Sequence, residues 1–189
     1  MAEMMERPTI MAHRRVAEVV APGDRVIDAT AGNGHDTVIL AERVGATGIV
    51  VAFDVQTEAL ASTGRRLEAA GYLDRVKLVQ ASHVEISRHA ECSSVAAIMF
   101  NLGYFPGGDH EVITETAETL KALDAALVAL KRGGVLTVVC YPGHDGGDEE
   151  SAAVTEWSRR LDRVIFPSEI HRRMDTQKPA PFLVLVRRS

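Results

Sequence analysis

The sequence predicts an α/β fold: a mostly parallel seven-stranded sheet with an antiparallel last strand and helices on both faces. Three observations predict it. Strand-like and helix-like stretches alternate along nearly the whole chain. Several strand-like runs, such as "GIVVAFD" (48–54) and "SVAAIMF" (94–100), are almost continuously apolar, as parallel strands covered on both faces are. The alternation breaks only near the C-terminus. There a polar link containing Pro179 precedes "PFLVLVRR" (181–188), a strand expected to return antiparallel at or near the sheet edge.

The elements follow in order. A chain of 189 residues suits one domain, 1–189, with 1–22 expected as an N-terminal helix packing on the sheet. "RVIDAT" (25–30) is the first strand, after the turn "PGD". A glycine turn leads into a helix over 35–43. "GIVVAFD" is the second strand. The helix over 56–70 carries Ala59, Leu60, Thr63 and Leu67 at three-to-four spacing and ends at Gly71. "RVKLVQ" (75–80) and "SVAAIMF" are the third and fourth strands. The longest helix is expected over 109–132, capped by Asp109, striped by Val112, Ile113, Ala117, Leu120, Leu123, Leu127 and Leu130, and ended by Lys131-Arg132-Gly133-Gly134. "GGVLTVVC" (133–140) is the fifth strand, residues 148–160 a helix with Trp157 on its apolar side, and "RVIFP" (163–167) the sixth strand.

Composition narrows the function classes. Apolar content of 46% and charged content of 25% describe an ordinary soluble globular protein. No apolar run approaches the roughly 20 residues of a membrane helix. The start, "MAEMMERPTIMAHRR", has no apolar signal region, so a cytoplasmic location is expected. Cys92 and Cys140 read as two buried thiols in a reducing compartment, with a disulfide or metal pair as the other option. Seven histidines show no paired metal-ligand spacing, so no metal is expected. A formal charge of −5 argues against a sequence-independent grip on a long duplex and leaves room for a local basic patch.

The first turn, "VIDATAGNGHDT" (26–37), carries the cofactor signal. Gly32 and Gly34 permit a sharp turn and close approach to a ligand. Asp54 ends the second strand, where a carboxylate commonly accepts from a ribose. A dinucleotide fingerprint would place its third glycine at Thr37, and Asp36 at the helix start would repel a diphosphate. Asp28 precedes the turn, where an acid can receive a cationic amino acid. S-adenosylmethionine, with an ammonium, a sulfonium and no phosphate, therefore suits the site better than NAD. Asp28-x-Thr30-x-Gly32-x-Gly34 has methyltransferase spacing, with Thr at the first glycine. The other reading is a tight turn with an incidental Asp on the next strand. "ASH" (81–83) follows the third strand, so Ser82 and His83 can face the adenine end; alternatively His83 caps the next helix.

The segments "DATAGNGHDT", "AFDVQ", "ASH", "NLGYFPGGDH" and "YPGH", in this order, resemble the MnmM-type tRNA methyltransferases, formerly grouped as rRNA methylases. The resemblance runs from about residue 9 to 187. It implies a Rossmann-like class I fold, S-adenosyl-L-methionine as donor, and a homodimer. The implied reaction methylates the exocyclic amine of 5-aminomethyl-2-thiouridine at the tRNA wobble position, giving the 5-methylaminomethyl form. By position, the implied cofactor contacts are Asn33, Asp36, Asp54, Gln56, Ser82 and His83. This chain has Ala81 where many members carry an acid, and Asp175-Thr176-Gln177-Lys178 where the family tends to an Asn before the Gln.

"NLGYFPGGD" (101–109) then acquires a chemical reading. An amine attacking a methyl group needs acceptors for its N–H groups and a free lone pair. The Asn101 side-chain oxygen and the Leu102 carbonyl can accept, beside Gly103, and Tyr104 can stack on a base for about 1–3 kcal/mol. The loop is similar to the Asn-Pro-Pro-Tyr loop of amino-group methyltransferases, with Leu-Gly replacing Pro-Pro. Its plainer reading is a strand exit followed by an Asp109 cap. Tyr141 and His144 of "YPGHDGG" (141–147) can line a substrate pocket, with His144 as proton acceptor or simply a solvated turn residue. Arg172, Arg173 and Lys178 are candidates for anticodon phosphates or a solvated loop. An unpaired wobble base needs only to be splayed out. The alternatives are a methyltransferase of the same fold acting on rRNA, protein or a small amine, a NAD enzyme, and a non-catalytic nucleotide-binding module.

Overall fold

The computed structural model describes residues 6–103, 116–143, 146–172 and 179–189. In chain order the elements are α1 (Pro8–Ala17), β1 (Arg25–Asp28), α2 (His35–Val44), β2 (Ile49–Asp54), α3 (Thr57–Ala70), β3 (Val76–Gln80), α4 (Ile86–His89), β4 (Val95–Leu102), α5 (Thr116–Ala129), β5 (Leu130–Cys140), α6 (Gly147–Arg160), β6 (Ser168–His171) and β7 (Phe182–Arg187). The seven strands form one sheet in the order β3-β2-β1-β4-β5-β7-β6. The pairs from β3 to β5 are parallel, and β7 runs antiparallel to both β5 and β6. The antiparallel last strand expected from the sequence is thus present, one place in from the edge.

Side chains alternate between two cores, as the period of two requires. Val26, Val50, Ala97 and Met99 face α1, α2 and α3 through Ala12, Val16, Leu40, Ala41 and Leu67. Ile27, Val51, Phe53, Ile98 and Phe100 face α4, α5 and α6 through Ile86, Leu123, Ala126 and Val154. Burial on both faces explains the near-continuous apolar runs. Each fully buried Ile, Leu or Phe contributes about 1.5–3 kcal/mol of transfer free energy.

Three details depart from expectation. The sixth strand is Ser168–His171, not 163–167. Asp162 Oδ1 accepts from the backbone N–H of Val164 (2.8 Å) and Ile165 (3.4 Å), holding that stretch in a turn, with Val164 81% exposed. The apolar run is therefore a surface turn, and the polar link hides the strand. That edge strand carries Glu169 and His171, paired at 3.0 Å, and a charged edge discourages further strand pairing. Second, α5 ends at Ala129, and Leu130 already pairs with Val95. Residues 131–134 bridge a register shift before Val135 pairs with Ala97. Gly134 is required there because a Cβ would meet the Lys131 carbonyl at 2.8 Å. The helix part expected over 109–115 lies outside the described residues. Third, Cys140 is buried but Cys92 is exposed.

Candidate active site

The strand order reverses at β1: β2 and β3 lie to one side, β4 and β5 to the other. The carboxyl ends of β1 and β4 therefore open a crevice at the switch point, where ligands bind in open α/β sheets. Most of the residues singled out from sequence converge on this edge.

The turn after β1 is organised from beneath. Asp28 is fully buried. Its Oδ2 accepts from the Thr37 hydroxyl (2.6 Å) and its Oδ1 from the Thr30 backbone N–H (3.2 Å). Thr37 is likewise enclosed, so this pair braces the turn and presents no surface to a ligand. Burial first, then the charge of Asp36 and, more weakly, that of Asp54, push the Asp28 carboxyl from its ordinary 3.8 up to about 7, while the bonds from Thr37 and Thr30 pull the other way. The turn thus stands in a field of carboxylates.

Gly32 and Gly34 both have positive φ, +51° and +77°. The absent Cβ of Gly34 faces α3 rather than a ligand: it would meet the Thr63 Cα at 2.9 Å. The Thr63 hydroxyl donates to the Gly32 carbonyl (2.9 Å). Asn33 is held by Ser62 through its side chain (3.1 Å) and by Arg66 through its carbonyl (2.7 Å). Asp54 accepts from the Gly32 N–H (2.9 Å) and from the Gln56 N–H (2.9 Å), so the ends of β1 and β2 are tied into one wall.

The second wall comes from β4. The Asn101 N–H donates to the Thr30 hydroxyl (2.8 Å), and the Asn101 side-chain N–H donates to Asp36 Oδ2 (3.3 Å). The other Asp36 oxygen accepts from His13 Nε2 (2.6 Å). A carboxylate only accepts, which identifies the Asn101 atom facing it as nitrogen and turns the carbonyl oxygen away from Asp36. Leu102 is buried and paired in register with Cys140. Gly103 lies under the Tyr141 ring, where a Cβ would touch Cδ2 at 3.5 Å. Burial, then the charge of Asp36, raise the Tyr141 phenol above its ordinary value, against a hydrogen bond from Asn101 that lowers it. Tyr141 is therefore a neutral hydrogen-bonding group at neutral pH, not a base. Burial also pushes the neighbouring Cys140 thiol up to about 12, which removes it as a nucleophile.

At the end of β3, Ser82 rather than His83 caps the following turn: its Oγ accepts from the Val84 N–H (3.4 Å). The same hydroxyl donates to Glu118 of α5 (3.1 Å). His83 is buried edge-on against Phe100, with ring centroids 5.5 Å apart. Burial lowers its pKa, against a hydrogen bond to the Ala29 backbone. Its Nε2 has no hydrogen-bond partner among the described residues. Arg172 follows β6; it stacks on Phe182 at 3.7 Å and donates to Thr155 (2.6 Å), so its guanidinium already has packing partners. Tyr104, Asp109, His144, Arg173 and Lys178 lie outside the described residues.

A family model described as "Putative rRNA methylase" matches residues 50–187. The chain belongs to this rRNA methylase family. Two solved structures show the same architecture for the family. One, from Clostridium thermocellum and described as a "putative rRNA-methylase", is 36% identical with a TM-score of 0.95, covering 99% of this chain and 100% of that one. The other, a "putative methyltransferase" from Streptococcus mutans in complex with SAH, is 34% identical with a TM-score of 0.89, covering 98% and 100%. The fold is therefore the Rossmann-like methyltransferase fold. A curated relative, the chloroplastic tRNA (mnm5s2U34)-methyltransferase of Arabidopsis thaliana, is 40% identical over 82% of this chain. This rRNA methylase family chain spans 60% of the length of that protein.

Two residues of the site escape the sequence reading. His13 stands 23 residues before Asp36, in a helix that shows only an ordinary amphipathic pattern. Glu118 belongs to α5 and brings to Ser82 the carboxylate that Ala81 lacks. No local spacing signals either contact, because each depends on how a helix packs over the sheet.

Proposed function

We propose that this protein is an S-adenosylmethionine-dependent methyltransferase acting on the exocyclic amine of 5-aminomethyl-2-thiouridine at the tRNA wobble position. The observation that carries the reading is Asn101 at the end of β4. Its amide nitrogen is engaged by Asp36, and its carbonyl oxygen is turned away as an acceptor. The Arabidopsis relative, a tRNA (mnm5s2U34)-methyltransferase, supports the choice of substrate.

The residues present fit the donor. Asp36 and Asp54, the two carboxylates whose charge helps hold the buried Asp28 carboxyl up at about 7, put negative charge around the first turn, which favours a sulfonium and an ammonium and disfavours a diphosphate. When bound, the donor supplies a methyl group already activated by its cationic leaving group. Gly32, Asn33, Asp54 and Gln56 would hold the ribose and amino acid portions, and Ser82 with Glu118 the adenine side. His83, buried behind Ser82, sets the shape of that side.

The chain's own contribution is position and a free lone pair. An alkylamine is mostly protonated at neutral pH and cannot attack in that form. The Asn101 oxygen and the Leu102 carbonyl accept the N–H groups of the neutral amine and leave its lone pair aimed along the displacement axis. Tyr141, uncharged, borders this acceptor pair and adds no competing negative charge. Tyr104 serves as base platform, His144 as proton acceptor, and Gly103 and Asp109 as further substrate-binding residues. Arg172, Arg173 and Lys178 meet anticodon phosphates. The reading extends to a homodimer in the cytoplasm, as the family resemblance implies; among the described residues no helix is long and apolar enough to cross a membrane.

The family description favours one second reading, methylation of rRNA. Labelled methyl transfer, run in parallel on tRNA carrying the unmethylated amine and on undermethylated rRNA, separates the two. The expected result is label in tRNA alone; label in rRNA alone selects the second reading. Calorimetry should show S-adenosylmethionine binding and no comparable binding of NAD. Tight NAD binding would overturn both readings.

A further inference from the structure

The mechanism uses one side of the Asn101 amide; the other side leads out of the crevice to α1. His13 Nε2 donates to Asp36 Oδ1 at 2.6 Å, and Asp36 Oδ2 accepts from Asn101 Nδ2 at 3.3 Å. The two bonds use the two oxygens of one carboxylate that is itself only 11% exposed. Two donors on opposite oxygens fix the plane of that carboxylate, and the carboxylate in turn fixes the amide. Ala12 and Val16 bury α1 against the sheet, so His13 is held on a packed element rather than a loop.

We propose that His13 is a positioning residue that acts through Asp36 to keep the Asn101 amide oxygen facing the substrate amine. This rests on the reading of Asn101 as amine acceptor. With His13 in place, Asp36 Oδ1 is occupied and Oδ2 is the oxygen left for Asn101. Without it, the carboxylate is free to rotate or to pair directly with an incoming ammonium. Either change leaves the amide with Tyr141 as its remaining side-chain partner and lets it turn its nitrogen toward the substrate, where a donor meets N–H groups and only the Leu102 carbonyl is left to accept.

Two substitutions separate positioning from mere packing. His13→Gln keeps an N–H donor at a similar reach; His13→Phe keeps the bulk and removes the donor. The 15N-labelled full chain reports the Asn101 side-chain NH2 pair, assigned by its disappearance in Asn101→Ala. The expected result is a displaced or exchange-broadened pair in H13F and a wild-type-like pair in H13Q. In the methyl-transfer assay, kcat should fall by about tenfold or more in H13F, on the scale of a small misplacement of a reacting group, with KM for the donor little changed. H13Q should recover most of that rate. An unchanged amide pair and unchanged kcat in H13F overturn the proposal, as do equal losses in H13F and H13Q. If the wild-type protein transfers no methyl to tRNA, the substrate reading fails, and the amide resonances alone still decide the role of His13.

Discussion

At the scale of single residues, Asn101 carries the account. Asn101→Ala should lower methyl transfer by about 100-fold or more, the usual loss when one oriented hydrogen-bonding group is removed from a reacting centre, with donor affinity nearly unchanged. Equal losses of rate and affinity would place Asn101 in the cofactor site instead. Asp28 makes a different prediction, about stability. Its carboxyl rises from 3.8 to about 7 on folding, chiefly through burial. The folded chain then holds a proton that the unfolded chain has lost. The contribution to stability is present below about pH 4 and disappears as pH rises through about 7. Asp28→Asn mimics the protonated form, so the variant should gain on wild type by a few kcal/mol, order of magnitude, between about pH 4 and about pH 8. Chemical denaturation across that range measures it, and a difference independent of pH would contradict it. The single residues were also legible to different degrees. Gly32, Gly34 and Asp54 announce themselves by spacing. The His13–Asp36 and Asp36–Asn101 bonds join residues 23 and 65 apart, and no local pattern encodes such contacts.

At the scale of elements, the close approach of the first turn to α3 is testable by comparing two glycines with left-handed φ. Gly34 has φ +77° and Thr63 Cα where a Cβ would be; Gly71 has φ +73° and nothing within 4 Å. Gly71→Ala should cost about 1 kcal/mol, from backbone strain alone. Gly34→Ala should cost on the order of 2–4 kcal/mol, because backbone atoms of α3 must also shift. Denaturation midpoints decide this; equal costs would mean that α3 does not press on the turn. The elements buried on both faces, β1, β2, β4 and β5, could be read from their apolar runs. β6 could not. Its four residues, "SEIH", lie at an edge where polar side chains are favoured, while "RVIFP" beside it looks like a strand but is exposed in a turn held by Asp162. The passage from α5 into β5 was misplaced for a similar reason. Lys131-Arg132-Gly133-Gly134 is good helix-stop chemistry, yet the strand begins before it and absorbs it as a register shift.

At the scale of the whole molecule, the order of strands places two walls on one edge of the sheet: an acidic turn from β1 and β2, and an amide acceptor from β4. That pairing of a site for a cationic methyl donor with an acceptor for an amine is the central claim. Mass spectrometry of nucleosides tests it most directly, using tRNA that carries 5-aminomethyl-2-thiouridine, incubated with the protein and S-adenosylmethionine. Conversion of that nucleoside to 5-methylaminomethyl-2-thiouridine is expected, at a rate about 100-fold or more lower in Asn101→Ala. Unchanged wobble uridine in the presence of protein that demonstrably binds the donor would contradict it.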